Sequence, residues 1–184
     1  MFDLQDFVHQ CREALAEPQP ARVIESLVQS ALSNPDEVRA AFAEVASGQP
    51  PGLITFAALD ATLTVADITT PPGLRSPAHD HQMWAVIGVY EGQELNEFYR
   101  YEGSEFTKRG ARLLKEGDVA ILGANAIHAI ANPLPTQSSA IHVYGGHLGE
   151  RESRSIWNPH SNEREPYEMD RLLSYVKELS EPAP

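Results

Sequence analysis

The apolar positions change their period once along the chain. Over the first fifty residues they recur every three to four, with Phe2, Leu4, Phe7, Val8, Cys11 and Leu15 in one stripe. That spacing places side chains on one face of an α-helix. Pro18 and Pro20 end the run, because proline cannot continue a helix. A second helix is predicted over residues 21–32. The stretch Asn34-Pro35-Asp36-Glu37 combines an N-cap residue, a proline preset for the first turn and two acids at the positive end of the helix dipole. It predicts a third helix over residues 36–46. Gly48-Gln49-Pro50-Pro51-Gly52 then breaks the pattern. The chain divides on this reading into a helical segment, 1–50, packed on a second unit, 51–184, that ends in a helix.

After Gly52 the period falls to two. Short β-rich runs are expected at 53–58, 62–69, 84–91, 95–101, 112–115, 119–122 and 140–144. Turn signals at Pro71-Pro72-Gly73, Glu91-Gly92, Glu102-Gly103, Glu116-Gly117-Asp118 and Asn132-Pro133 separate several of them. Many short strands with no helices between them argue a sandwich or barrel. A polar loop holding Trp157, Pro159 and Pro166 leads to a last helix over 168–179.

Composition narrows the function classes. With 42% hydrophobic and 22% charged residues the chain is ordinary globular material, and no run approaches the roughly 18 apolar residues of a membrane span. A formal net charge of −12 argues against nucleic acid and anionic membrane surfaces as partners. The N-terminus carries acids early and no basic region, so it does not read as a signal peptide. Cys11 is the single cysteine, which permits no internal disulfide and points to a reducing, cytoplasmic setting. It reads as helix packing.

Histidine is the candidate chemistry. His79-Asp80-His81 stands between a proline-glycine turn and a strand. In an extended chain, residues two apart project to one face, so both imidazoles point one way and Asp80 the other. One strand then offers two nitrogens to one ion, and His128 could approach from across a barrel. Imidazole suits iron, zinc, copper and nickel.

Gly73, five residues, then His79-x-His81 is similar to the first motif of the cupin superfamily. Gly117, five residues, Gly123, then His128 and Asn132 resembles the second, with Gly123 and Asn125 departing from its usual proline and glycine. The resemblance implies a mainly β fold, the cupin double-stranded β-helix or jelly-roll barrel, with N-terminal helices and a C-terminal helix. The carboxylate ligand usual a few residues after the second histidine is missing: Ala85, Val86 and Ile87 occupy those positions. Glu91 and Glu94 lie at or past the next turn and are not expected to ligate. An all-histidine triad carries no anionic ligand, so it favours an anionic substrate.

Within the cupins the chain resembles the thiol dioxygenases, the cysteine and 3-mercaptopropionate dioxygenase group. The resemblance lies in Pro72–His81, Trp84–Gly92, Gly117-Asp118-Val119 with His128, and Ala140-Ile141-His142-Val143-Tyr144-Gly145-Gly146. It implies Fe(II) held by His79, His81 and His128, a small mercapto-carboxylate and O2 as substrates, and a sulfinate product. Tyr144 resembles the family's active-site tyrosine, and His142, on the same strand face, would orient its hydroxyl. The family often has a serine two residues before that histidine. Ala140 stands there instead, which leaves a two-member relay. No cysteine faces Tyr144 for a crosslink, since Val86 holds about that position. Arg154 resembles the arginine expected to bind the substrate carboxylate, with Arg151 and Arg75 as competitors. His147 is a candidate for the mouth of the site, and His9 and His160 read as surface. Two other readings stand beside this one: a three-histidine oxygenase or hydrolase for a non-thiol substrate, and a non-catalytic cupin that binds a metal or small ligand. A cation beside Tyr144 would favour the first reading. Oligomeric state is left between monomer and homodimer.

Overall fold

The computed structural model describes residues 2–150 and 153–180. Three helices come first: α1 (Leu4–Ala14), α2 (Pro20–Ala31) and α3 (Pro35–Ala46). Asp3 caps α1 by accepting from the Gln5 and Asp6 amides, while prolines open α2 and α3, where the lost N–H costs nothing. Eleven strands follow: β1 (Ile54–Leu59), β2 (Thr64–Thr70), β3 (His79–Asp80), β4 (Ala85–Glu91), β5 (Gln93–Glu102), β6 (Glu105–Lys115), β7 (Val119–Leu122), β8 (Ile127–Ala131), β9 (Ser138–Tyr144), β10 (Ser155–Trp157) and β11 (Arg164–Pro166). A last helix, α4 (Met169–Leu179), ends the described chain. No helix among the described residues is long and apolar enough to cross a membrane.

Two antiparallel sheets form, in the orders β1-β2-β9-β4-β7 and β11-β10-β3-β8-β5-β6. From β3 onward the chain passes between the sheets at almost every turn. The pairings are nested: β3 with β10, β4 with β9 and β5 with β8. One long antiparallel ribbon is thus wound into two facing sheets. This is the double-stranded β-helix expected of a cupin. It departs from the expected barrel in one respect: the two sheets face each other without closing, so their edge strands remain.

The strands expected from alternation match β1, β2, β4, β5, β7 and β9 to within two or three residues. Strand β6 is longer than expected because it runs beside β5 as a ribbon reaching the Glu102–Glu105 turn. Strands β3, β8, β10 and β11 hold two to five residues each, too few for alternation to mark them.

Helices α1 to α3 cover the outer face of the five-stranded sheet. Phe7, Cys11, Ile24, Val28 and Phe42 pack with Val65, Val86, Ile141 and Val143 in one continuous core. Burial of this kind is worth roughly 25 cal/mol per Å² of apolar surface. Gly88 lets α2 approach, since a side chain there would overlap Val28 and press on Leu32. The inner face of the same sheet turns Ala85, Ile87, Val89, Ala140 and Tyr144 toward the second sheet.

Candidate metal centre and its cavity

Strand β3 is only two residues long because the chain turns sharply after it. Gln82 adopts φ +55°, a left-handed conformation uncommon outside glycine. Asp80 holds the turn: its carboxylate accepts from the Gln82 side-chain amide at 2.7 Å and from the Ser155 backbone N–H at 2.8 Å. Asp80 therefore points away from the histidines, as expected, and is itself buried and satisfied.

Pairing of β3 with β8 sets His79 directly opposite His128, and His81 joins them from just past the strand end. The three rings offer nitrogens that all lie within 4.8 Å of one another, and all three are buried. The His81 and His128 Nε2 atoms are 2.9 Å apart. Here the structure adds what spacing could not: His128 sits on its own strand and meets its partner by register.

The tautomers follow from the neighbours. His79 Nδ1–H donates to the Pro77 carbonyl at 3.1 Å, and His128 Nδ1–H donates to Asn96 Oδ1 at 2.8 Å. Both rings therefore keep Nε2 as a lone pair, the arrangement that outer hydrogen bonds impose on ligating histidines. His81 differs. Its Nδ1 lies 3.3 Å from Nη2 of Arg154, which can only donate, so its proton sits on Nε2 and bridges to His128. Binding a cation through Nε2 with the ring neutral would shift that proton to Nδ1 and turn Arg154 Nη2 away from it.

Burial first, and the Arg154 charge next, push His79 down to about 4. Burial also holds His81 and His128 well below the ordinary imidazole range, with the His79 ring adding to the effect. All three rings are then neutral at physiological pH, which is the ligating form. Three neutral rings whose nitrogens converge, two of them with Nε2 already free, fit a divalent transition metal.

Behind this cluster lie His142, Tyr144 and the buried carboxyl of Glu94. His142 Nδ1 is 3.0 Å from the Tyr144 hydroxyl. His142 Nε2 faces Glu94 Oε2 at 3.4 Å and has no hydrogen-bond partner among the described residues. The other Glu94 oxygen accepts from the Asn96 amide at 2.8 Å, and Asn96 in turn holds His128. Glu94 lies outside the three-histidine group. Its carboxylate, carried on β5, stands 3.4 Å from the far end of His142 without a hydrogen bond between them. The available signal was parity, since Glu94, Asn96 and Phe98 alternate toward the inner face of β5.

Tyr144 lies against His81, with ring centroids 4.9 Å apart. Burial pushes its phenol above the ordinary range, with Arg154 opposing. Arg154 is buried. Its Nε donates to the Asp80 carbonyl at 3.0 Å, its Nη1 to the Leu148 carbonyl at 2.5 Å, and its guanidinium lies 3.7 Å above the Tyr167 ring. Arg75 does not line this cavity; its backbone N–H donates to Ser180 Oγ. Arg151 lies outside the described residues. His147 turns to Gly149 and Glu150 and is not at the cavity. His9 and His160 are exposed. Cys11 is buried in the helical core, where burial pushes its thiol up to about 12.

The three histidines, His142, Tyr144 and Arg154 form the polar floor of one cavity of about 380 Å³. Its remaining walls are almost entirely aliphatic and aromatic, and α4 lies along one side.

No family model matches the chain. Among solved structures it is similar to Peruvianin-I, a cysteine peptidase from Thevetia peruviana latex, at 16% identity over 61% of this chain and 74% of that one, with a TM-score of 0.46. It is also similar to a conserved protein with a double-stranded β-helix domain from Klebsiella pneumoniae subsp. pneumoniae, at 19% identity over 61% and 87%, TM-score 0.45. A third is recombinant oxalate oxidase in complex with glycolate, at 16% identity over 55% of each chain, TM-score 0.43. These are remote likenesses of fold.

Proposed function

We propose that the protein is an Fe(II)-dependent thiol dioxygenase acting on a mercapto-carboxylate. The observation that carries the reading is a carboxylate-free set of three neutral, buried imidazoles beside a His142–Tyr144 pair and a buried guanidinium, all on one cavity floor. The reaction is R–S⁻ + O2 → R–SO2⁻. Both oxygen atoms end on sulfur, which loses the four electrons that O2 gains.

Fe(II) on three imidazoles would supply open positions and the redox chemistry that O2 requires. The protein's part is charge, orientation and exclusion of water. Three neutral ligands leave both charges of the ion uncompensated, so the site favours a thiolate over a neutral donor in a low-dielectric setting. Glu94 can only accept when ionised, so the Nε2 proton of His142 faces it and Nδ1 accepts the Tyr144 O–H. The phenol oxygen is thereby fixed at the cavity wall beside His81. A second proton on His142 would reverse that bond and turn the Tyr144 O–H toward the substrate. Arg154 spends two N–H groups on Asp80 and Leu148; with His81 in its ligating tautomer the other three of its five are left for a carboxylate.

The test is anaerobic Fe(II) loading followed by O2 uptake against small thiols (3-mercaptopropionate, cysteine, cysteamine and mercaptosuccinate), with the sulfinate identified by mass. A fully loaded protein that consumes no O2 with any thiol rejects the reading. Arg154→Ala should raise KM for a mercapto-carboxylate about tenfold and spare cysteamine, which lacks the carboxylate; this is the scale of one charge-assisted hydrogen bond. An equal effect on both removes Arg154 from substrate binding.

A further inference from the structure

The cavity is much larger than a three-carbon mercapto acid. At about 380 Å³ it could hold roughly a dozen waters, yet its walls give water almost nothing to bind. Phe56 of β1, Ile68 of β2 and Ile130 of β8 form the side opposite the helix. Leu172, Leu173 and Val176 face them from α4, with Met169 one turn earlier.

Helix α4 is unusual in how it is held. Its apolar residues recur at 169, 172, 173 and 176, the stripe of a helix that should lie on a core. None of its residues is buried, and Met169 and Leu173 are each 49% exposed. The fixings are polar and lie at the rim. Tyr175 donates to Glu165 at 3.0 Å, Arg171 donates to the Pro166 carbonyl at 2.6 Å, His160 pairs with Glu178 at 3.0 Å, and Ser180 Oγ accepts from the Arg75 N–H at 3.0 Å. The apolar face therefore spans a void whose floor is the histidine cluster.

We infer that the substrate carries an aliphatic or aryl group on its carbon skeleton, and that this group fills the space between the cavity floor and α4. The occupant is fixed by continuity: the aliphatic walls open directly onto His79, His81 and Tyr144, so whatever meets α4 also meets the reacting end. Helix α4 then acts as the selecting wall. Its half-exposed Met169 and Leu173 are covered only when the group is present, and a short polar thiol leaves them wet. The inference rests on the thiol dioxygenase reading for the sulfur and carboxylate ends alone.

The test is calorimetric titration of the anaerobic metal-loaded protein with 3-mercaptopropionate, 3-mercaptohexanoate and hexanoate. Each buried methylene tightens binding roughly fourfold, so the six-carbon thiol, with three more carbons, should bind at least tenfold and up to about 60-fold more tightly than the three-carbon one. Leu173→Asn should cut that ratio at least fivefold. Leu113→Asn, at a similarly exposed leucine of β6 outside the cavity, should leave the ratio unchanged. Equal affinities for the two thiols, or equal effects of the two variants, overturn the inference. So does a concentration-dependent dimer that Leu173→Asn dissolves with no change in the ratio, because α4 would then face a second copy of the chain. Hexanoate binding as tightly as its thiol, with or without metal, would keep the apolar subsite and reject the thiol reading instead.

Discussion

The two faces of the five-stranded sheet share one backbone and do opposite things. Along β9, Ile141 and Val143 point to the helices, while Ala140, His142 and Tyr144 point inward, the last two into the cavity. Along β4, Val86 and Tyr90 go outward, and Ala85, Ile87 and Val89 go inward. The outer face is closed by close packing, down to the bare Gly88 under Val28. It holds one buried carboxyl, Asp67, partnered by the Tyr90 hydroxyl at 2.8 Å. The inner face keeps a cavity and two hydrogen-bonded polar groups, His128–Asn96–Glu94 and His142–Tyr144, that approach each other at 3.4 Å between Glu94 and His142. Stability and chemistry are therefore separated by a pleat: one residue along the strand changes the task.

The sharpest way to break this division is His128→Ala, which should abolish stoichiometric divalent metal binding while far-UV circular dichroism stays native. Full metal retention would sink the triad. On the other face, Ile141→Ala removes a side chain with no exposure and should cost about 2–5 kcal/mol in denaturant unfolding with metal stoichiometry unchanged. A variant that lost metal in proportion to stability would show the two faces to be coupled. Tyr144→Phe should keep metal and stability and lower kcat about a hundredfold, the scale of losing one positioned proton donor; unchanged turnover removes the tyrosine from the chemistry.

Tyr90→Phe tests the outer carboxyl and should be the smallest effect, about 1–3 kcal/mol at neutral pH. Burial raises Asp67 above its ordinary 3.8, and the Tyr90 hydroxyl partly opposes that rise. The folded chain thus holds the Asp67 proton more tightly than the unfolded chain. This contribution to stability is full below pH 3.8 and declines as pH rises through the folded value. Removing the hydroxyl raises that value further, so the deficit of the variant should grow with pH. A deficit independent of pH would mean that Tyr90 acts by packing alone.

Much of the fold was legible before the structure. Helices α1 to α3, α4 and most of the longer strands, β6 excepted, follow from period and punctuation, because amphipathic repeats of ten residues leave a clear pattern. The histidines were legible too, as a chemically rare cluster in an apolar stretch with two glycine turns ahead of it. Strand β8 was not, and neither was the hub Glu94. A five-residue strand buried on both sides shows little alternation. A single acid near a turn looks like surface until its strand is paired.

The sequence by itself determined which side chains are available: three imidazoles with no carboxylate among them, a His-x-Tyr on one strand face, and apolar stripes for two layers. Only the tertiary structure decided what meets what. Register between β3 and β8 set His79 opposite His128, and the left-handed turn at Gln82 brought in His81. Packing of β5 behind β9 put Glu94 on His142, and the rim contacts of α4 left an apolar cavity over the histidines. Pattern along a chain reports which face each residue takes. Long-range pairing, with loops of many residues between partners, reports the neighbours on that face, and the chemistry depends on those.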